Sequence, residues 1–154
     1  MPLEHKPAKT VMVDFAGDNL SYVGKATGKV FSCNVLVCVL PYCGYSFVKT
    51  LPSTTMVQLI IALNDCLSFF GGVPRSLKTD NMKQVVKPSR YEPTFIDAFT
   101  QWTQHYIIAL TATRVAKPKD KAPVENEVKI TYRRIYAPCA IKLFLALMLL
   151  IKLL

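Results

Sequence analysis

The sequence predicts an α/β domain, a mixed five-stranded sheet with helices packed on it. Two observations carry this. Before residue 52, β-branched and apolar runs are broken by turn signals; from Met56 onward, apolar residues recur at helical spacing. Short strand-like stretches then alternate with helical ones, so the later strands are joined through helices and should be parallel. The 154 residues, 51% hydrophobic and 19% charged, suffice for one domain with a sizeable core and exclude a disordered chain.

Residues 1–9 are polar and read as a loose stub, with no apolar signal region. Residues 11–16 form the first strand. Residues 17–28 are rich in turn residues and read as a link. Residues 30–40 and 45–51 are the second and third strands, split by Pro41-Tyr42-Cys43-Gly44, so the first half is an antiparallel meander. Met56, Leu59, Ile60, Leu63, Leu67 and Phe70 mark a helix, capped by Ser53 or Thr54 and ended at Gly71-Gly72. Residues 77–80 form a short strand. Phe95, Phe99, Trp102 and Tyr106 mark a second helix after Pro93, residues 107–113 a fifth strand, and residues 123–136 a third helix. Residues 10–137 thus hold three strands, helix, strand, helix, strand, helix, which is the order of an RNase H-like fold. Trp102 and Tyr106 read as helix core, and His105 as a helix-end surface residue.

Three acids sit where an acid is locally awkward. Asp14 follows Val11-Met12-Val13 in a buried-strand pattern. Asp80 ends Ser76-Leu77-Lys78-Thr79 and precedes Asn81. Glu125 lies in the first turn of the third helix. A carboxylate beside a core costs several kcal/mol unless it is paired or binds a metal. In an RNase H-like order the first and fourth strands are neighbours, which brings Asp14 and Asp80 together. Glu125 follows the apolar-stripe residue Val124, on the flank of the buried face. Three convergent carboxylates are what a Mg²⁺-dependent phosphoryl-transfer site needs. Each has a plainer reading: a strand-end acid for Asp14, an Asx-type turn for Asp80-Asn81, a helix-dipole partner for Glu125. Glu127 faces another side, and Asp18 is either an extra acid or a loop residue.

The net charge is +9, and the bases are uneven: five of 19 Lys and Arg precede residue 75. A basic half fits a polyanion. Arg114, Lys117, Lys119 and Lys121 form a loop before Glu125, Lys129, Arg133 and Arg134 follow on its helix, and Lys83 lies just after Asp80. Such groups neutralise phosphates and position DNA without reading its sequence. Cys33, Cys38, Cys43, Cys66 and Cys139 are odd in number and contain no C-x-x-C pair, so they read as reduced thiols in a cytoplasmic protein without a zinc site.

Several segments resemble the catalytic core of IstA-type insertion-sequence transposases, within the retroviral-integrase-like superfamily. They are Val-Asp-Phe-Ala-Gly-Asp at 13–18, Phe-Gly-Gly-Val-Pro-Arg at 70–75, and Thr-Asp-Asn-Met-Lys at 79–83. Arg-Tyr-Glu-Pro at 90–93 and Pro-Lys-Asp-Lys-Ala-Pro-Val-Glu at 118–125 follow. The resemblance spans residues 8–137. It implies that Asp14, Asp80 and Glu125 form the DDE triad of a DNA strand transferase holding two Mg²⁺ (or Mn²⁺) ions. Asp14 would bridge the ions, and Asp80 and Glu125 would hold one each. It further implies double-stranded DNA as partner (transposon ends and target), a homo-oligomer at full length, an ATPase helper of the same element, and no membrane.

Pro123 departs from the family pattern. The family's N-terminal helix-turn-helix region has no counterpart before residue 10, and the sequence after Pro138 is unlike the family. The expectation is a truncated copy of a transposase. The rival readings are a non-catalytic nucleic-acid-binding remnant and an inactive product that folds poorly.

Residues 138–154 are apolar, with a longest uncharged run of nine residues, 143–151, against the roughly 20 that a membrane span needs. They read either as frame-shifted sequence or as a helix docked on the domain. The sheet and its helices are complete before this tail. Deleting residues 139–154 should therefore leave the thermal transition unchanged or sharper and raise solubility, because an undocked apolar tail exposes a large patch. Loss of a cooperative transition in a chain ending at Pro138 would identify the tail as a core helix.

Overall fold

The computed structural model describes residues 9–24, 26–79, 82–83, 85–87, 94–112, 122–131 and 133–134. The strands are β1 (Thr10–Phe15), β2 (Leu20–Val23), β3 (Val30–Leu40), β4 (Tyr45–Leu51), β5 (Ser76–Thr79), β6 (Val86–Lys87), β7 (Thr94–Phe95) and β8 (Ala109–Ala112). The helices are α1 (Met56–Phe70), α2 (Asp97–His105) and α3 (Ala122–Thr131).

β3 organises the sheet. Residues 34–40 pair antiparallel with β4, while Leu36–Val39 pair antiparallel with β1. β1 pairs parallel with β5 and β5 parallel with β8. This is the expected mixed sheet, an antiparallel meander joined to two parallel strands.

One element was not expected. The stretch 17–28 is not only a link: β2 takes up pairing with residues 30–33 of β3 where β1 leaves off. Among the described residues the sheet therefore has six strands, and a separate two-stranded sheet pairs β6 with β7. The turn residues Gly17, Asp18, Asn19 and Gly24 obscured four intervening residues of extended chain. Beyond the core the β2–β3 ribbon is exposed on both faces, at Ser21, Tyr22 and Val23 and again at Val30, Phe31 and Ser32.

Period-two alternation gives the sheet two different faces. Val11, Val13, Leu36, Cys38, Leu51 and Leu77 point to one side and bury against Leu59, Leu63, Cys66 and Leu67 of α1 and Phe99 and Trp102 of α2. The indole N–H of Trp102 donates to Asn64 Oδ1 at 2.9 Å, which ties α2 to α1. Lys49 of the edge strand β4 pairs with Asp65 of α1. On the other face, Ala16, Val35 and Val37 form a smaller cluster with Leu20, Val48 and Val128 of α3. Among the described residues no helix is long and apolar enough to cross a membrane.

The helix ends differ in detail from expectation. Thr55, not Ser53 or Thr54, occupies the N-cap of α1, without a side-chain cap bond. Ser53 Oγ instead meets Thr55 Oγ1 at 3.2 Å. The predicted stop at Gly71 holds, at φ 71°. The second helix begins at Asp97, because Phe95 is engaged in β7, and the fifth predicted strand starts later, at Ala109, and is described to Ala112. Cys33, Cys38, Cys43 and Cys66 are free thiols. Donation of the Cys38 S–H to the neighbouring Cys66, then burial, pushes the Cys38 thiol well above its ordinary range, so it stays protonated at neutral pH. Cys139 and the tail from 138 onward lie outside the described residues.

α1 and α2 end with the same backbone pattern. After α1, Gly71 and Gly72 N–H donate to the carbonyls of Ser68 and Leu67. After α2, Ile107 and Ile108 N–H donate to those of Gln104 and Thr103. The left-handed position is glycine in the first case and Ile107, at φ 57°, in the second. Ile107 is 88% exposed, so its side chain recovers little by burial. The left-handed conformation costs a β-branched residue about 1–2 kcal/mol, against about 0.5–1 kcal/mol for the extra unfolded-state freedom of glycine. Ile107→Gly should raise stability by up to about 1 kcal/mol in urea denaturation; a loss would show that the isoleucine side chain supports the turn.

Candidate active site

Asp14 is the penultimate residue of β1, half-buried, and opposite Val37 of β3. Its Oδ1 accepts the N–H of Phe15 at 2.8 Å, which pins the carboxylate at the strand end. Because it shares a row with Val37, and Val37 with Val48, Asp14 lies on the face covered by α3. That face also receives Val128, the α3 residue packed on Ala16, Val35 and Val37.

The parallel register of β1 with β5 runs from Thr10↔Ser76 to Val13↔Thr79. In sequence, Asp14 follows Val13 and Asp80 follows Thr79. Asp80 and Asn81 lie outside the described residues. Lys78 is half-buried opposite Met12, on the Asp14 face, while Thr79 is buried on the core face opposite Val13.

Glu125 is exposed in the first turn of α3. It stands three residues before Val128, a spacing that places two side chains on one helix face. Glu127 is half-buried, and its Oε1 accepts a hydrogen bond from Ser46 Oγ of β4 at 2.6 Å. The two glutamates are thus used differently: Glu127 anchors the helix to the sheet edge, and Glu125 remains at the helix start. The Ser46 link was not read from the sequence, because a short polar residue opening an edge strand carries no signal of its partner 81 positions away. Asp18 lies exposed in the bend between β1 and β2.

Among the described residues no three Asp, Glu, His or Cys side chains lie close enough to hold a metal ion. Of the basic positions, Lys83, Lys129, Arg133 and Arg134 are exposed. Arg114, Lys117, Lys119 and Lys121 lie outside the described residues.

No family model matches the chain. Over 138 residues it is 36% identical to a protein of Burkholderia multivorans named as a transposase for insertion sequence IS408, covering 89% of this chain and 27% of that protein. It is 31% identical to one of Pseudomonas fluorescens named as a transposase for insertion sequence IS1162, covering 86% of this chain and 24% of the relative. A third, from Sinorhizobium fredii and named as transposase y4uI, is 35% identical over 86% of this chain and 26% of its own length. The chain spans about a quarter of the length of these curated relatives. Among solved structures, a chain of the simian T-cell lymphotropic virus intasome, in complex with a PP2A regulatory subunit, superposes with TM-score 0.64 at 16% identity, over 91% of this chain and 44% of that one. The catalytic core domain of BIV integrase gives 0.57 at 14% identity, over 84% of this chain and 70% of that one. Most of the chain is therefore similar to about a quarter of these insertion-sequence transposases, and its fold is the RNase H-like fold of integrase catalytic cores.

Proposed function

We propose that this chain is the catalytic core of a DNA strand transferase, with Asp14, Asp80 and Glu125 as its metal-binding carboxylates. The observation that carries the reading is the β1–β5 register. Among the described residues it runs to Val13↔Thr79, the next residue in sequence after each is an aspartate, and α3 lies over the same face with Glu125 in its first turn.

The donor set fits a hard divalent cation. Carboxylate oxygens are the ligands that Mg²⁺ and Mn²⁺ prefer, and Mg²⁺ retains several waters when few protein groups bind it. Two such ions supply activation of an attacking oxygen and charge neutralisation at the leaving 3′-oxygen. The chain's own part is positional. Phe15 N–H fixes the Asp14 carboxylate, the Val128 contact and the Ser46–Glu127 bond fix α3, and the bases on α3 and after β5 hold phosphates. Double-stranded DNA would be the partner, held by a homo-oligomer when the chain forms part of a longer protein. The exposure of Glu125 favours one second reading, a nucleic-acid-binding domain that does no chemistry.

Two measurements test this. With Mn²⁺ and an oligonucleotide duplex, Asp14→Asn and Glu125→Gln should each reduce strand nicking or transfer by at least about a hundredfold, as expected when charge stabilisation at the reacting phosphate is removed. Both should also weaken Mn²⁺ binding by calorimetry. Glu127→Gln should keep metal binding and activity while lowering the thermal transition, because it weakens the anchor to Ser46. DNA binding without Mn²⁺ binding or nicking would establish the second reading instead.

Affinity for duplex DNA should show little sequence preference and should fall steeply with salt. Neutralisation of about four phosphates implies a loss of about a hundredfold between 50 and 200 mM salt. Salt-independent affinity would exclude phosphate neutralisation as the source of binding.

A further inference from the structure

We propose that the β2–β3 ribbon is a second DNA contact, on which the paired rings of Tyr22 and Phe31 stack against unpaired bases of a DNA end. The inference rests on the reading of the chain as a DNA-acting core, and it assigns a role to residues which that reading leaves unused.

Tyr22 and Phe31 are partners in the β2–β3 register. Their rings stack at 5.3 Å with 21° between planes, yet they remain 54% and 43% exposed. The Phe31 ring also lies over Gly24, where an added Cβ would stand 2.8 Å from Phe31 Cε2. The ribbon thus holds two large aromatics in a fixed arrangement with much of their surface open to solvent. An exposed π-face accepts any base, which is how single strands are bound without sequence preference.

The position and the charge indicate the ligand. β3 is continuous from Val30 to Leu40, so Phe31 shares the face of Val37 and hence of Asp14. Leu20, two residues before Tyr22, confirms the face by packing on the Ala16, Val35 and Val37 cluster. From Phe31 to Val37 is about 20 Å at about 3.4 Å per residue. That is about six nucleotides along a DNA strand. Residues 20–33 carry Lys25 and Lys29 and no acid, and the whole chain is at +9. A stack with two lysines close in sequence, on the face of Asp14, fits a polyanion whose bases are open. In an intact duplex the base faces are already stacked, so the ribbon should discriminate by unpaired bases.

The test measures fluorescence anisotropy of two labelled duplexes with the 154-residue chain, one blunt and one carrying a ten-nucleotide single-stranded overhang. The intact chain should prefer the overhang by about tenfold, in line with stacking of one or two bases. Tyr22→Thr combined with Phe31→Thr keeps strand propensity. It should abolish the preference, leave blunt-duplex affinity within about twofold, and leave the thermal transition followed by Trp102 fluorescence in place. Val30→Thr, on the opposite ribbon face, should retain the preference. The proposal is overturned by any of four results: no preference in the intact chain, preference surviving the double substitution, equal loss in Val30→Thr, or a lowered thermal transition in the double variant. Blunt-duplex binding without overhang preference removes the ribbon's role alone, whereas no binding to either duplex removes the DNA reading with it.

Discussion

The parallel pairing of β1 with β5 is the constraint on which the rest depends. Parallel neighbours cannot be joined by a hairpin, so a crossover is required, and α1 supplies it. The crossover must cover the sheet, which accounts for the stripe of Leu59, Leu63, Cys66 and Leu67. The parallel strands also start in step. Ser76 N–H donates to Lys9 O, Ala109 N–H donates to Arg75 O, and Thr10 Oγ1 meets Ser76 Oγ at 2.8 Å. Strands that start level end level, so residues 66 apart in sequence arrive at one rim. Carboxyl ends of parallel strands are where α/β sheets place their ligands.

The two faces of the sheet divide the work. β3 is buried on both sides from Val35 to Val39, each at 1% exposure or less. The face toward α1 and α2 carries the large aliphatic and aromatic side chains, and with them most of the apolar burial that stabilises the fold. The face toward α3 is thinner. Its apolar cluster is small, and Asp14 in the same row is only half-buried. An unpaired carboxylate on the thick face would cost several kcal/mol. On the thin face the Asp14 carboxylate keeps partial access to water while its strand stays fixed by the core beneath.

Much of this architecture was legible because it is written in local periodicity. Val30–Leu40 and Tyr45–Leu51 appear at the boundaries that their β-branched runs and intervening turn predict, and α1 stops at its glycine. β2 was missed because four extended residues lie between glycines and polar turn formers, where composition signals a loop and only pairing with β3 makes a strand. The β6–β7 pair is shorter still, two residues each, and is decided by tertiary contact. The candidate site was read from the sequence in a different way. Asp14 and Glu125 stood out as acids in apolar or helix-start settings, but the bond that locks α3 in place, Ser46 to Glu127, joins residues with no sequence relationship.

That bond also distinguishes two nearby glutamates, one tied to the sheet edge and one left exposed at the helix start. A helix packed by a single apolar contact is free to roll; two contacts at different angles fix it. Val128 against the Ala16, Val35 and Val37 cluster supplies one, and Glu127 against Ser46 supplies the other, about 100° around the helix. With the roll fixed, Glu125 lies about 60° from Val128 and about 160° from Glu127. It therefore sits on the side of the helix that the β1 and β3 cluster already holds, away from the β4 edge. The N-terminal turn adds a favourable dipole of about 0.3–1 kcal/mol for its negative charge. Lys129 in its last turn is exposed, as are Arg133 and Arg134 beyond its described end. An acid in its first turn and a base in its last put opposite charges at the two ends of one short element, the arrangement that the helix dipole favours.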